Sequence, residues 1–197
     1  MSYPLYHTDA LVLGSAPASE GSRTISFFTR ELGFLTASAQ SVREERSKLR
    51  YGLQDFSHSE IALVRGKEFW RITHVSLFEN IFQELKGDRK AARMIGRIFS
   101  LLKRLLAGEE KNEPLFVAVL EGLHYVAQVK DTHLVDGVEI VLVLRVLYLL
   151  GYLAPRGEFD PFLSHSDLWN DSLISNALLF RTIAISEINN SLRETQL

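Results

Sequence analysis

Two sets of cations are the only side chains in this sequence whose types and spacing converge on a recognisable chemistry. The first is Arg43, Arg46, Lys48 and Arg50, interleaved with Leu49 and followed by Tyr51. Nucleic-acid backbones reward this arrangement, because each phosphate neutralised releases counterions while an aromatic ring offers a stacking face to any base. The alternative is a solvated loop whose charge is partly offset by Glu44 and Glu45. The second set is Lys90, Arg93, Arg97 and Arg104, which a helix of about 100° per residue places on one stripe opposite an apolar face. That stripe contains no acid. A face that only solubilises usually mixes signs to gain pairs one turn apart, so an unmixed stripe suits an anionic partner, with a solvated face as the alternative.

Catalytic and metal-binding patterns are sparse. His7, His58, His74, His124, His133 and His165 do not pair at metal-ligand spacing, and the absence of cysteine removes disulfides and thiolate ligands. Gly66-Lys67 lacks the preceding glycine and following Ser/Thr of a phosphate-binding loop, and no Gly-x-Ser-x-Gly nucleophile elbow occurs. Glu44-Glu45 and Glu109-Glu110 are sequence neighbours, which seldom converge on one substrate. The expectation is a binding protein without catalytic residues, metal or other cofactor.

The elements that must position these cations read as two blocks in a chain of 197 residues with 46% hydrophobic positions. Residues 1–80 suggest five short strands, Thr8–Gly14, Arg23–Thr29, Phe34–Ala39, Ser57–Val64 and Phe69–Ser76, with breaks at Ser15–Ser22, at Gly33 and at a hairpin tip Arg65-Gly66-Lys67. The long break is Gln40–Asp55. Short links between short strands point to a small closed barrel of the OB or SH3-like kind. Residues 81–197 turn to helical spacing: Asp88–Leu106 with Asp88 as cap and Gly108 as terminator, Pro114–Val129, Val135–Leu153 and Leu173–Leu192, with Pro155–Asp171 as a loop. The fold class is therefore α+β, with a five-stranded barrel domain over 1–80 and an α-helical bundle domain over 81–197.

Charge is distributed unevenly along a chain of net charge −2. Residues 1–80 balance nine cations against nine acids, residues 81–104 hold seven against two, and residues 105–197 hold six against thirteen. A polyanion surface is expected toward the first half. The apolar run Val138–Ala154 is interrupted by Glu139, Arg145 and Gly151 and is shorter than the roughly 20 residues that span a bilayer, so it reads as a buried helix. Met1–Leu13 carries no basic region followed by an apolar one, and the expected location is the cytoplasm.

The stretches Glu20-Gly-Ser-Arg23-Thr-Ile-Ser-Phe-Phe-Thr29-Arg-Glu-Leu-Gly33 and Ser47-Lys-Leu-Arg50-Tyr-Gly52-Leu-Gln54-Asp-Phe56 resemble the N-terminal signature of bacterial RecO proteins. A weaker similarity runs through Leu149-Leu-Gly151-Tyr152-Leu-Ala-Pro155 and Ser191–Leu197. The resemblance implies an OB fold followed by a helical domain, binding of single- and double-stranded DNA, and promotion of strand annealing without nucleotide consumption. It also implies RecR and single-stranded DNA-binding protein as partners in loading RecA, with association with the nucleoid during repair. By position it adds Arg23 to the DNA-binding set and places Lys48 and Arg50 in the family's basic segment.

The chain departs from the family pattern at Ser22, where many members have Asp, at Gln40-Ser41, in place of a Lys-Gly pair, and after Gly151-Tyr152, where a cysteine-rich zinc module is expected. Arg156–Asp171 occupies that place, so the helical domain is expected to close by apolar packing. The other reading of these departures is a protein-binding adaptor that keeps the fold with weakened DNA contacts. With no cysteine and dispersed histidines, folding should need no metal. Chelators are expected to leave the melting temperature unchanged, and stoichiometric zinc lost together with helicity would contradict this.

Overall fold

The computed structural model describes residues 4–19, 21–40, 42, 47, 49–67, 69–164 and 169–194. The chain forms two compact units, residues 1–84 with 106–112, and residues 85–105 with 113–197. The sequence boundary at residue 80 thus moves to 84, and residues 106–112 belong to the barrel.

The first unit is built from β1 (Leu5–Ser19), β2 (Ser22–Thr29), β3 (Gly33–Ala39), β4 (Ser57–Arg65), β5 (Trp70–Asn80) and a one-turn helix α1 (Ile81–Glu84). Strands close into a barrel in the order β1-β2-β3-β5-β4, the Greek-key order of an OB fold. All neighbouring pairs are antiparallel except β3 with β5, which run parallel through only Ala37 opposite Trp70 and Ser38 opposite Arg71. Period-two alternation turns Ile25, Phe27, Leu35, Ala37, Ala39, Ile61, Leu63, Trp70 and Ile72 into one core.

β1 is longer than its sequence suggests. It runs past Gly14 to Ser19, with irregularities between Val12 and Gly14 and between Pro17 and Ser19. Pro17 stays in register opposite Arg23 beside the second irregularity, so small residues that read as a turn remain in the ladder.

Residues 106–112 are fixed to the barrel at three points. Phe34 N donates to Gly108 O at 3.0 Å, and Trp70 Nε1 donates to Glu109 Oε1 at 2.8 Å. Gly33 has φ of 69°, and a Cβ there would lie 2.2 Å from Glu110 O, so only glycine permits the approach.

The second unit contains α2 (Arg89–Leu105), α3 (Glu113–Gln128), α4 (Leu134–Leu149), α5 (Asp160–Leu163), α6 (Asp171–Leu179) and α7 (Arg181–Glu194). Asp88 caps α2, its Oδ1 accepting from Lys90 N at 2.8 Å and Ala91 N at 3.1 Å. α4 is the central helix, mostly buried and packed against α2, α3, α5, α6 and α7. The single terminal helix expected over Leu173–Leu192 is two helices that break at Phe180, whose ring meets Phe162 edge-on at 6.1 Å. The loop expected over Pro155–Asp171 contains α5, and Asn170 caps α6 by accepting from Leu173 N at 2.9 Å.

Apolar packing alone does not close this unit. Arg145 in α4 is fully buried, donating from Nε to Phe162 O at 3.0 Å with its guanidinium 4.6 Å from the Trp169 ring centroid. Trp169 also stacks on Tyr125 at 5.7 Å, and a Cβ on Gly122 would come within 2.9 Å of it. The Tyr125 hydroxyl, which donates to Asp171 Oδ1 at 2.5 Å, titrates well above its ordinary value because of burial, reinforced by that carboxylate. A cation thus holds the segment after Gly151 to the central helix.

Two stability outcomes follow. Trp70→Ala should cost about 3–5 kcal/mol, the usual range for a buried aromatic, because it empties the barrel seam and removes the hydrogen bond to Glu109. A loss below about 1 kcal/mol in urea denaturation would show that the seam does not depend on it. At Arg145, Lys should be worse than Met although it keeps the charge: a buried ammonium loses the flat stacking group and hydrates more strongly. Losses of roughly 3 kcal/mol or more for Lys and about 1–2 kcal/mol for Met are expected. The reverse order would remove the stacking role.

Candidate nucleic-acid interface

Arg23 is the second residue of β2 and lies opposite Ala39, in the same alternation phase as the core residues Ile25 and Phe27. Its side chain therefore emerges at an end of the barrel. There it meets Val42, Arg50, Leu53 and Gln54 around a cavity of about 370 Å³. Val42 and Leu53 are buried parts of the barrel core, while Arg50 and Tyr51 are exposed.

The backbone after Arg50 is held firmly. A Cβ on Gly52 would fall 2.3 Å from Val75 Cγ1, and the Gly52 carbonyl accepts from Ser59 Oγ at 2.8 Å. Phe56, at φ of 71°, donates its N–H to Val12 O at 3.2 Å, and Ser57 N donates to Gln54 O at 3.1 Å. Both sides of the Leu53-Gln54 step are thus pinned to the sheet.

Of the cations singled out in the sequence, Arg43, Arg46 and Lys48 lie outside the described residues. Arg23 and Arg50 come together at the cavity, and among the described residues neither forms an ion pair or a side-chain hydrogen bond.

The helix stripe is a different matter. Lys90 Nζ lies 3.0 Å from Asp136 Oδ1 and 2.8 Å from Thr132 O, and Arg97 makes two 2.6 Å bonds to Glu139. The Arg97 pKa is raised, first by that hydrogen-bonded pairing. The acids missing from α2 are supplied by α4, so the stripe is partly neutralised. Arg93 and Arg104 remain exposed and flank a shallow groove with Gly96, Ser100 and Leu101.

A third group was not singled out in the sequence. Arg65, Gly66, Lys67, Arg71 and Thr73 line a hollow of about 430 Å³ at the β4–β5 hairpin, beside the exposed Phe69. Arg65 reaches Glu109 at 3.3 Å and lies 5.3 Å from the Trp70 ring centroid. Its signal was the alternation Arg65-x-Lys67-x-Phe69-x-Arg71, hidden because a hairpin tip explained the glycine. Val42, Leu53 and Gln54 carried no such signal, since only folding gathers them at one barrel end. Among the described residues, no helix is long and apolar enough to cross a membrane.

The chain has relatives among known proteins. Residues 1–81 match the family described as recombination protein O N terminal. The chain is 34% identical over 148 residues to the DNA repair protein RecO of Heliobacterium modesticaldum, covering 75% of this chain and 52% of that protein. It is 30% identical over 148 residues to that of Desulfitobacterium hafniense (75% of this chain, 52% of the relative). Identity is again 30% over 148 residues to that of Pelotomaculum thermopropionicum (75% and 56%). The chain spans about half the length of these curated relatives. The barrel matches the N-terminal domain of the RecO family, and the similarity to RecO proteins extends from it into the helices over three quarters of this chain.

Proposed function

We propose that this chain is a DNA-binding protein of repair and recombination that holds phosphate backbones on its barrel and promotes pairing of complementary strands. The observation that carries the reading is the convergence of Arg23 and Arg50 on one barrel end with no carboxylate engaging either among the described residues. A free guanidinium exchanges counterions for phosphate, whereas Lys90 and Arg97 must first give up Asp136 and Glu139. The barrel end and the basic stretch Arg43–Arg50 are therefore the principal contact, and Arg93 and Arg104 a secondary one.

Binding of single and double strands by backbone charge needs no base readout and no turnover. Neutralising phosphates on two strands lowers the repulsion that opposes annealing. The relatives are DNA repair proteins, which supports this role. RecR and single-stranded DNA-binding protein are the partners this reading assigns, with RecA loading as the outcome.

A protein-binding adaptor is the second reading. It is favoured by the exposed Leu179, Phe180, Ile183 and Ile185 at the α6–α7 junction and by the acidic excess of residues 105–197. A salt titration with an unstructured oligonucleotide separates the two. Replacing Arg46, Lys48 and Arg50 together with Ala should weaken binding to every sequence and flatten the log–log salt slope by about 2, at roughly 0.7 per single-strand phosphate. Replacing Glu44 and Glu45 should strengthen binding. An unchanged slope in the triple variant removes the basic stretch from the mechanism, and no wild-type binding at low salt favours the adaptor.

A further inference from the structure

The surface of α6 and α7 is short of charge. Between Ser172 and Leu192 the only ionised side chains are Arg181 and Glu187, and both are engaged, Arg181 with Asp136 at 3.6 Å and Glu187 with Arg156 at 3.1 Å. The exposed positions there include Leu179, Ile183 and Ile185 together with serine, threonine and asparagine. A face turned only to solvent mixes cations and acids, whereas the centre of a protein interface is depleted of them.

Leu179 protrudes from this face. It ends α6 and is 82% exposed. Beside it lies a groove of about 260 Å³, with Ile140 and Val143 of α4 as its floor and Ile185 and Ile188 of α7 as its side. Arg181, two residues after Leu179, lines the same groove, so knob and hole share one corner of the helical unit. The corner is held firmly: a Cβ on Gly137 would lie 2.6 Å from Ile174 Cγ2, so α6 rests directly on the α4 backbone.

The charged end of the groove selects its occupant. Asp136 lies 3.0 Å from Lys90 and also meets Arg181, and Glu139 takes two bonds from Arg97. These charges are satisfied within the unit, so an ionic partner would have to break the pairs and would gain nothing from the apolar floor. An uncharged apolar side chain meets no such cost. A second copy of this chain brings one in Leu179, and the helical unit holds twelve cations against twelve acids, so two copies approach without net repulsion.

We propose that the α6–α7 corner is a two-fold contact between copies of this chain, Leu179 of each entering the groove of the other. Such a contact needs knob and hole on one surface, because each copy must present both. The proposal stands apart from DNA binding. Its consequence for that reading is two barrels on one particle, one for each strand to be paired.

Sedimentation of the full chain without nucleic acid, over a concentration series, tests it. The wild type should pass from monomer to dimer with a dissociation constant in the micromolar range, and stop there because a two-fold contact closes. Leu179→Glu and Ile185→Lys, both at exposed positions, should each weaken dimerisation by at least about tenfold with melting nearly unchanged, since each buries a charge at both contacts. Mixed in equal amounts, the two variants should dimerise again. One contact is then wild type, and in the other the introduced carboxylate faces the introduced ammonium. A wild type that stays monomeric at every soluble concentration overturns the proposal and leaves the groove to a different partner. Dimers that Leu179→Glu does not weaken, or variants that stay monomeric when mixed, overturn it as well.

Discussion

Closure of the barrel depends on its shortest seam. β3 and β5 meet in parallel through two residue pairs, Ala37 with Trp70 and Ser38 with Arg71, whereas every other edge carries a longer antiparallel ladder. Trp70 compensates for that brevity. Its ring meets Tyr6 edge-on at 5.2 Å and lies under the Arg65 guanidinium, and its N–H reaches Glu109. One side chain thereby fills the seam and secures residues 106–112 to the strands. β3 ends at Ala39, opposite Arg23, so the seam also sets where the chain leaves the sheet toward Val42 and Arg50. The candidate interface is a consequence of where the barrel closes.

The helical unit answers a different constraint. Where the family pattern leads one to expect a zinc module, this chain has no cysteine to ligate a metal. Arg145 takes a structural part of that work by holding Phe162 O and the Trp169 face from inside the central helix. Removing a guanidinium from water is costly, and the stacking on Trp169 and the hydrogen bond to Phe162 O offset part of that cost. In the sequence this arginine only interrupts an apolar run, and nothing in its neighbours tells of its purpose.

Much of the barrel was legible because turn chemistry and alternation are local. Gly33, the hairpin at Arg65–Lys67 and the alternating Ile25, Phe27, Leu35 and Ala37 announce their strands from neighbours alone. What could not be read lies between elements. The acids that neutralise Lys90 and Arg97 stand on another helix, 42 positions beyond Arg97 in the case of Glu139. Pro17 looks like a turn residue until β2 and a bulge are in place around it. Gln54 resembles any loop glutamine, and only the pinning of Gly52 against Val75 shows that its position is fixed. The candidate cations were visible by type, but which of them remain available for a partner was decided by tertiary pairing.

The central claim is that nucleic acid is held at the barrel end where Arg23, Val42, Arg50, Leu53 and Gln54 come together. Amide chemical shifts of the full chain, followed during titration with a short unstructured single strand, test it most directly. The account predicts that the largest changes fall at the start of β2 and over residues 42–54, saturating with a single affinity. Changes confined to the α6–α7 junction, with the barrel end unmoved at saturation, would contradict it.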